Sequence, residues 1–148
     1  MRPETLQALR RLLFYTRQEA AALVAASPER PRGVTDRAWR MWEVGELLIP
    51  DDVAARLRHL CEWRARAIKA GVTAARSALK RHGRPNEIVL TWYPTLADWL
   101  ARDEKDDAIY WRPHCSVVAA IASEVPEIEL SASRAAQQNY DPHHPRRP

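Results

Sequence analysis

The chain has 148 residues, 46% hydrophobic and 28% charged, with a net charge of +4. That balance is globular: it excludes collagen-like and wholesale disordered chains, and the length suits one domain or two small ones sharing a core. Two cysteines, Cys61 and Cys115, are too few for a disulfide framework. No apolar run reaches the roughly 20 residues a membrane span needs, and the amino terminus enters an amphipathic segment rather than a signal-peptide core. The expectation is a soluble, cytoplasmic protein. The charge is uneven: residues 1–70 hold thirteen Arg/Lys against nine Asp/Glu, residues 71–128 seven against eight, and the last twenty three against two. A basic first half joined to a neutral second half fits a polyanion-binding region coupled to something else.

Helix signals come early. Pro3 suits a first helical position, and Leu6, Leu9, Leu12 and Leu13 recur at helical spacing. Thr16 with Glu19 forms a capping box that opens a second, short helix carrying Ala20, Leu23 and Val24 inward. Residues 27–33 (SPERPRG) cannot be helical throughout. Thr35 then caps a third helix running through Glu43 and ending near Gly45. Asp51 and Asp52, after Pro50, place negative charge at the start of a fourth helix. Its apolar positions (Val53, Leu57, Leu60, Cys61, Ile68, Val72, Ala75, Leu79) allow one helix to about residue 81, roughly 45 Å long, with Gly71 a plausible break.

After a stop at residues 82–86, residues 88–93 (IVLTWY) read as a strand. A short amphipathic helix follows with Leu96, Trp99 and Leu100. Residues 108–111 read as extended, and 116–125 as an apolar helix. From Ser131 the periodicity fades, and residues 129–148 are assigned to a disordered tail ending in DPHHPRRP.

On a helical projection of the third helix, Ala38, Trp39 and Trp42 share one face, and Arg37, Arg40, Met41 and Val44 the other. The tryptophans would dock the helix, leaving arginines outward to reach guanine acceptors or phosphates. A short helix, a turn and a second helix with an exposed basic face is the geometry of helix-turn-helix readers. The same pattern fits an ordinary bundle with solvated arginines. Arg10, Arg11 and Arg17 are phosphate-contact candidates on the first reading and solvated surface on the second.

Two segments, LQALRRLLFYTRQEAAALV (residues 6–24) and TDRAWRMWEVGELLIPDDV (residues 35–53), resemble the amino-terminal domain of phage anti-CRISPR-associated repressors and their bacterial relatives. That family is similar to the wider Cro/phage-repressor group, in which a W-x-x-W-E-x-G segment closes the recognition helix; here it is WRMWEVG, residues 39–45. The likeness continues into IYWRPHCSVVAAI, residues 109–121. The resemblance implies that Arg37 reads base edges, that the carboxy-terminal region forms a dimer, and that the protein represses its own operon. Arg40 stands where the family often carries glutamine, Glu46 where relatives tend to carry arginine, and the insertion at 27–33 lengthens the turn.

The expected architecture is mainly α: a helix-turn-helix bundle (residues 1–70) with a small α+β dimerisation region (71–128) holding one or two short strands. The expected partners are double-stranded DNA with an inverted repeat and a second copy of the chain, with structured RNA a further candidate because phosphate attraction alone does not separate the two backbones. Thr35, Asp36, Arg37, Arg40, Met41, Arg17 and Arg11 are the DNA-facing candidates; Ile88, Leu90, Trp92, Trp99, Trp111, Val117 and Val118 are the dimer candidates. The strand at 88–93 needs a partner, either the 108–111 segment or a second protomer. The tryptophans fit the monomer's own core equally well. No cofactor, metal or catalytic step is expected: His59, Cys61, His114 and Cys115 lack paired zinc spacing, and no glycine-rich phosphate loop is present. The rival reading is an antitoxin-like protein whose second half holds a protein partner.

Overall fold

A computed structural model describes residues 1–82, 88–102 and 107–133. Within them the chain is mainly helical, with one small sheet. Helix α1 (Pro3–Leu12) starts with proline in its first turn and keeps Arg10 and Arg11 in its last, where cations favour the negative dipole end. It stops because Phe14 turns left-handed, at φ +66°. Helix α2 (Arg17–Leu23) opens with the expected capping box: Thr16 Oγ1 accepts from the Glu19 amide at 3.2 Å, and Glu19 accepts from the Thr16 amide at 2.9 Å. Helix α3 (Asp36–Glu43) is capped by Thr35, whose hydroxyl accepts from the Ala38 amide at 3.1 Å.

The 27–33 insertion leaves the α2–α3 geometry short. Ser27 and Arg30 exchange backbone hydrogen bonds at 3.0 Å, closing the excursion on itself. The Val34 amide then donates to the Ala21 carbonyl at 2.9 Å, returning the chain to the end of α2. Gly33 makes this return possible: at φ +70° it lies so close that a Cβ would sit 2.1 Å from the Ala21 oxygen. Arg30 reaches Asp52, and Arg56 donates to the Val24 and Ala26 carbonyls, so the excursion packs on the start of the next helix rather than on α3.

Helix α4 (Asp51–His82) runs 32 residues and crosses Gly71 unbroken. The break considered at that glycine does not occur. A Cβ there would lie 2.3 Å from Ile121 Cδ1, so the Ile121 side chain fills the space left at this glycine. Ile121 belongs to α6 (Trp111–Glu124), which packs along the latter part of α4. The segment expected to be extended at 108–111 is instead a single 3₁₀ turn (Ala108–Tyr110) leading into α6. Its β-prone composition is overridden locally: Asp107 caps the turn at 3.2 Å from the Ile109 amide, and the Tyr110 ring packs on Trp63 at 5.0 Å.

Strand β1 (Val89–Trp92) therefore finds another partner. It pairs in parallel with β2 (Glu129–Ala132), Val89 opposite Glu129 and Trp92 opposite Ala132. The connection passes through α5 (Leu96–Leu100) and α6, the kind of crossover a parallel pair requires. The described chain thus extends beyond residue 129, where the tail was expected to begin, because β1 supplies hydrogen-bond partners that a strand of only four residues cannot advertise. The Ser133 amide still donates to the Trp92 carbonyl at 2.9 Å. Residues 134–148, the rest of the expected tail, lie outside the described residues.

One buried cluster joins α1, α2, α3 and the first turns of α4: Leu6, Leu13, Tyr15, Val24, Trp39, Trp42, Val53, Leu57 and Leu60 belong to it. A second joins the far end of α4 to α6 through Val72, Ala75, Val117, Ile121 and Val125. A third holds Trp99, Trp111 and Cys115. One helix spans the boundary placed at residues 70 and 71, so both halves are built on it. No helix among the described residues is long and apolar enough to cross a membrane.

Filling the α4–α6 contact should separate the helices. Gly71→Leu is expected to cost about 1–3 kcal/mol by overpacking, lowering Tm by several degrees. In a thermal-melt double-mutant cycle with Ile121→Ala, the pair should cost less than the sum of the single changes, because both act on one contact. Additive losses would contradict the contact.

Candidate nucleic-acid interface

The orientation of α3 is set from beneath. Trp39 and Trp42 are buried, with ring centroids 5.5 Å apart in an edge-to-face arrangement. Trp39 Nε1 donates to Glu43 Oε1 at 2.8 Å. The same carboxylate accepts from Arg10 of α1, Nε at 2.6 Å and Nη2 at 3.2 Å. The two charged side chains retain 9% and 4% exposure. Arg10 also donates Nη1 to the Tyr15 carbonyl at 2.8 Å, holding the residue that follows left-handed Phe14. Burial alone would raise the Glu43 carboxyl; the Arg10 and Trp39 hydrogen bonds outweigh it and hold it below the ordinary glutamate range. Arg10 is thus a buried structural partner, not a phosphate-contact candidate.

With the tryptophans inside, Arg37 and Arg40 are exposed, Met41 is half-buried and Val44 is exposed. Among the described residues neither arginine has a side-chain hydrogen bond or ion pair. Thr35 is exposed, with its hydroxyl engaged as the cap. Asp36, half-buried, accepts a two-pronged pair from Arg17, both N–O distances 3.1 Å, so the first turns of α2 and α3 are tied together. Arg17 thereby pairs with the carboxylate at the start of the candidate reading helix, in a contact whose side chains stay 42% and 44% exposed. Arg11 is exposed, in the last turn of α1. Beyond α3 the chain presents Leu47 and Leu48, the latter 94% exposed, which the sequence pattern did not single out.

The dimer candidates divide. Trp99, Trp111, Val117 and Val118 are buried within the chain itself. Ile88, Leu90 and Trp92 are half-buried, while their neighbours Val89 and Leu130 are exposed. Cys115 is buried and Cys61 half-buried; burial pushes both thiols up.

Two contacts missed in the sequence bind α2 and the turn before it to the carboxy-terminal half. The Tyr15 hydroxyl, pushed far up in pKa chiefly by burial, donates to the Ile109 carbonyl. Arg112 makes a two-pronged pair with Glu19, Nη2–Oε1 at 2.6 Å and Nε–Oε2 at 3.0 Å. Burial opposes ionisation of Glu19, but the Arg112 and Thr16 hydrogen bonds prevail and hold its carboxyl below the usual range. A Glu19 engaged in a cap and an arginine ninety-three residues away leave no local signal of their pairing.

This arrangement, two capped helices with the second anchored by tryptophans and showing arginines outward, is a helix-turn-helix. Residues 1–130 match the family model described as Aca2/YdiL-like. The chain belongs to that family. Its members are the anti-CRISPR-associated helix-turn-helix regulators. The match runs from α1 through α6 into β2, so the family likeness covers both halves and not the helix-turn-helix alone. No curated protein matches the chain.

Arg10→Ala would leave the Glu43 carboxylate buried beside Trp39 without its cation. The expected cost is about 3–5 kcal/mol in a denaturant titration, far above that of an exposed pair. A loss below about 1 kcal/mol would show that the pair does not hold α3.

Glu19 and Glu43 both bind protons more weakly folded than unfolded. Their contribution to stability is therefore complete above the ordinary glutamate value of about 4.3 and is lost as pH falls through the lower folded values. Denaturation midpoints between pH 7 and pH 3 should hold steady to about pH 5 and then fall. A midpoint rising with acid would reverse the assigned shifts.

Proposed function

We propose that this anti-CRISPR-associated regulator is a sequence-specific DNA-binding repressor, acting as a cytoplasmic homodimer on an inverted repeat and controlling its own operon. The observation that carries the reading is the face of α3: Arg37 and Arg40 point outward from a helix whose opposite face is fixed by Trp39, Trp42 and Glu43. An arginine on such a face can donate two hydrogen bonds to the O6 and N7 of one guanine. The reading assigns binding and no catalytic step.

A single chain offers one reading helix, and a two-fold site needs two, about 34 Å apart. The second half supplies the surface for pairing. Val89 is exposed on one face of the small sheet and Leu130, opposite Leu90, is 37% exposed on the other. Leu90 belongs with Val117 and Ile121, and Trp92 with Trp99 and Trp111. Phosphate contact is assigned to the exposed Arg11, with Arg17 a second candidate whose exposed pair with Asp36 a phosphate would have to displace.

A salt titration on operator and scrambled duplexes separates these roles. Arg37→Ala should cost about 1–3 kcal/mol on the operator and relax preference at one base pair per half-site. Arg11→Ala should weaken both duplexes alike and reduce the log–log salt slope by about one. Neither change should move Tm, since both side chains are exposed. Full operator discrimination by Arg37→Ala would remove α3 as the reading helix, and tighter binding to a leader hairpin than to the operator would favour RNA as the target.

A further inference from the structure

The contacts between α2 and the start of α6 have a consequence for operator choice, resting on the repressor reading above. Glu19 lies one turn into α2 and shares its carboxylate between two duties. Oε2 accepts from the Thr16 amide at 2.9 Å and from Arg112 Nε at 3.0 Å, while Oε1 accepts from Arg112 Nη2 at 2.6 Å. The pair is shielded, its side chains keeping 21% and 23% exposure. The Arg112 guanidinium also lies 4.0 Å over the Trp111 ring, so it is held on its own side before it meets Glu19. Three residues before Arg112, the Ile109 carbonyl accepts the Tyr15 hydroxyl from the turn ahead of α2. Two residues before Glu19, Arg17 is fastened to Asp36, which adjoins Arg37.

Arg112 therefore fastens α6 to the first turn of α2, and the α2 backbone carries that placement two residues back to Arg17, whose exposed pair with Asp36 adjoins Arg37. None of these contacts is needed to make α2 or α3 helical. Glu19 would cap α2 without Arg112, and the Trp39–Trp42 core is built among α1, α2, α3 and the start of α4. What Arg112 and Tyr15 add is a fixed placement of the reading helix relative to the half of the chain that carries the pairing surface. We infer that Arg112, with Tyr15, is a positioning residue that sets the half-site spacing the dimer accepts, without touching DNA.

The geometry makes spacing a sensitive readout. One added base pair moves a half-site by about 3.4 Å and turns it by about 34°, which a rigidly held pair of helices cannot follow. The experiment uses the full chain and the double variant Arg112→Gln with Tyr15→Phe, with Arg112→Lys as the conservative control. Affinities are measured on one isolated half-site and on inverted repeats whose spacer differs from the native length by one or two base pairs.

The wild type is expected to lose about tenfold or more at each off-length spacer, as a rigid pair of readers should. The double variant should bind the isolated half-site within about twofold of wild type, while its spacer preference flattens to about threefold or less. Arg112→Lys, which keeps the charge but not the two-pronged geometry, should fall between. An unchanged spacer preference in the double variant overturns the inference. So does a parallel loss of half-site affinity and helical signal, which would make the clamp a folding contact. If the wild type binds no inverted repeat at all, the repressor reading fails first, an outcome distinct from either.

Discussion

A single buried carboxylate organises the amino-terminal half. Glu43 takes hydrogen bonds from Arg10 on α1 and from the Trp39 indole on its own helix, and the Arg10 guanidinium reaches on to the Tyr15 carbonyl. Burying these charges is costly, and well-packed apolar side chains often serve stability as well. What apolar side chains would not supply is direction. The donors fix the rotation of α3 about its axis, and with it the face on which Arg37 and Arg40 emerge. The same arginine pins the residue after left-handed Phe14, so the α1–α2 turn and the reading helix are set by one group.

The second constraint is α4. A helix of 32 residues is about 48 Å long, enough to serve the helix-turn-helix core at one end and the α6 core at the other. Gly71 marks the crossing with α6, where the absence of a side chain admits Ile121. Because the two halves share this helix and are joined again through Tyr15–Ile109 and Glu19–Arg112, motion between them has to break partly buried polar contacts as well as slide apolar ones. The family match extends across both halves, in keeping with an architecture in which neither half is an optional attachment.

The insertion before α3 shows how a local irregularity can be kept away from a site. Its prolines and glycine prevent helix, and its length would by itself displace α3. The reciprocal Ser27–Arg30 bonds and the Val34–Ala21 bond instead fold it out as a side loop against α4. The α2–α3 relation then survives, secured at the other end by Arg17 and Asp36.

Much of this was legible in the chain because it is written at short range. The capping box at Thr16, the Thr35 cap, the 3.6-residue periodicity of α1 and α4, and the tryptophan and arginine faces of α3 depend on residues within one or two turns. They gave the helices, the inward and outward faces of the reading helix and the mainly α class, while the motif segments pointed to the family. The features that escaped depend on partners far along the chain. Residues 108–111 carry a strand-like composition but turn as 3₁₀ under the Asp107 cap and the Trp63–Tyr110 contact. Strand β2 is too short to be seen without β1. Arg10, Arg17 and Arg112 are alike in sequence as basic residues on helices. Only the tertiary structure decided that the first is buried on Glu43, the second neutralises Asp36 and the third clamps α2, because an ion pair is a property of distance in space.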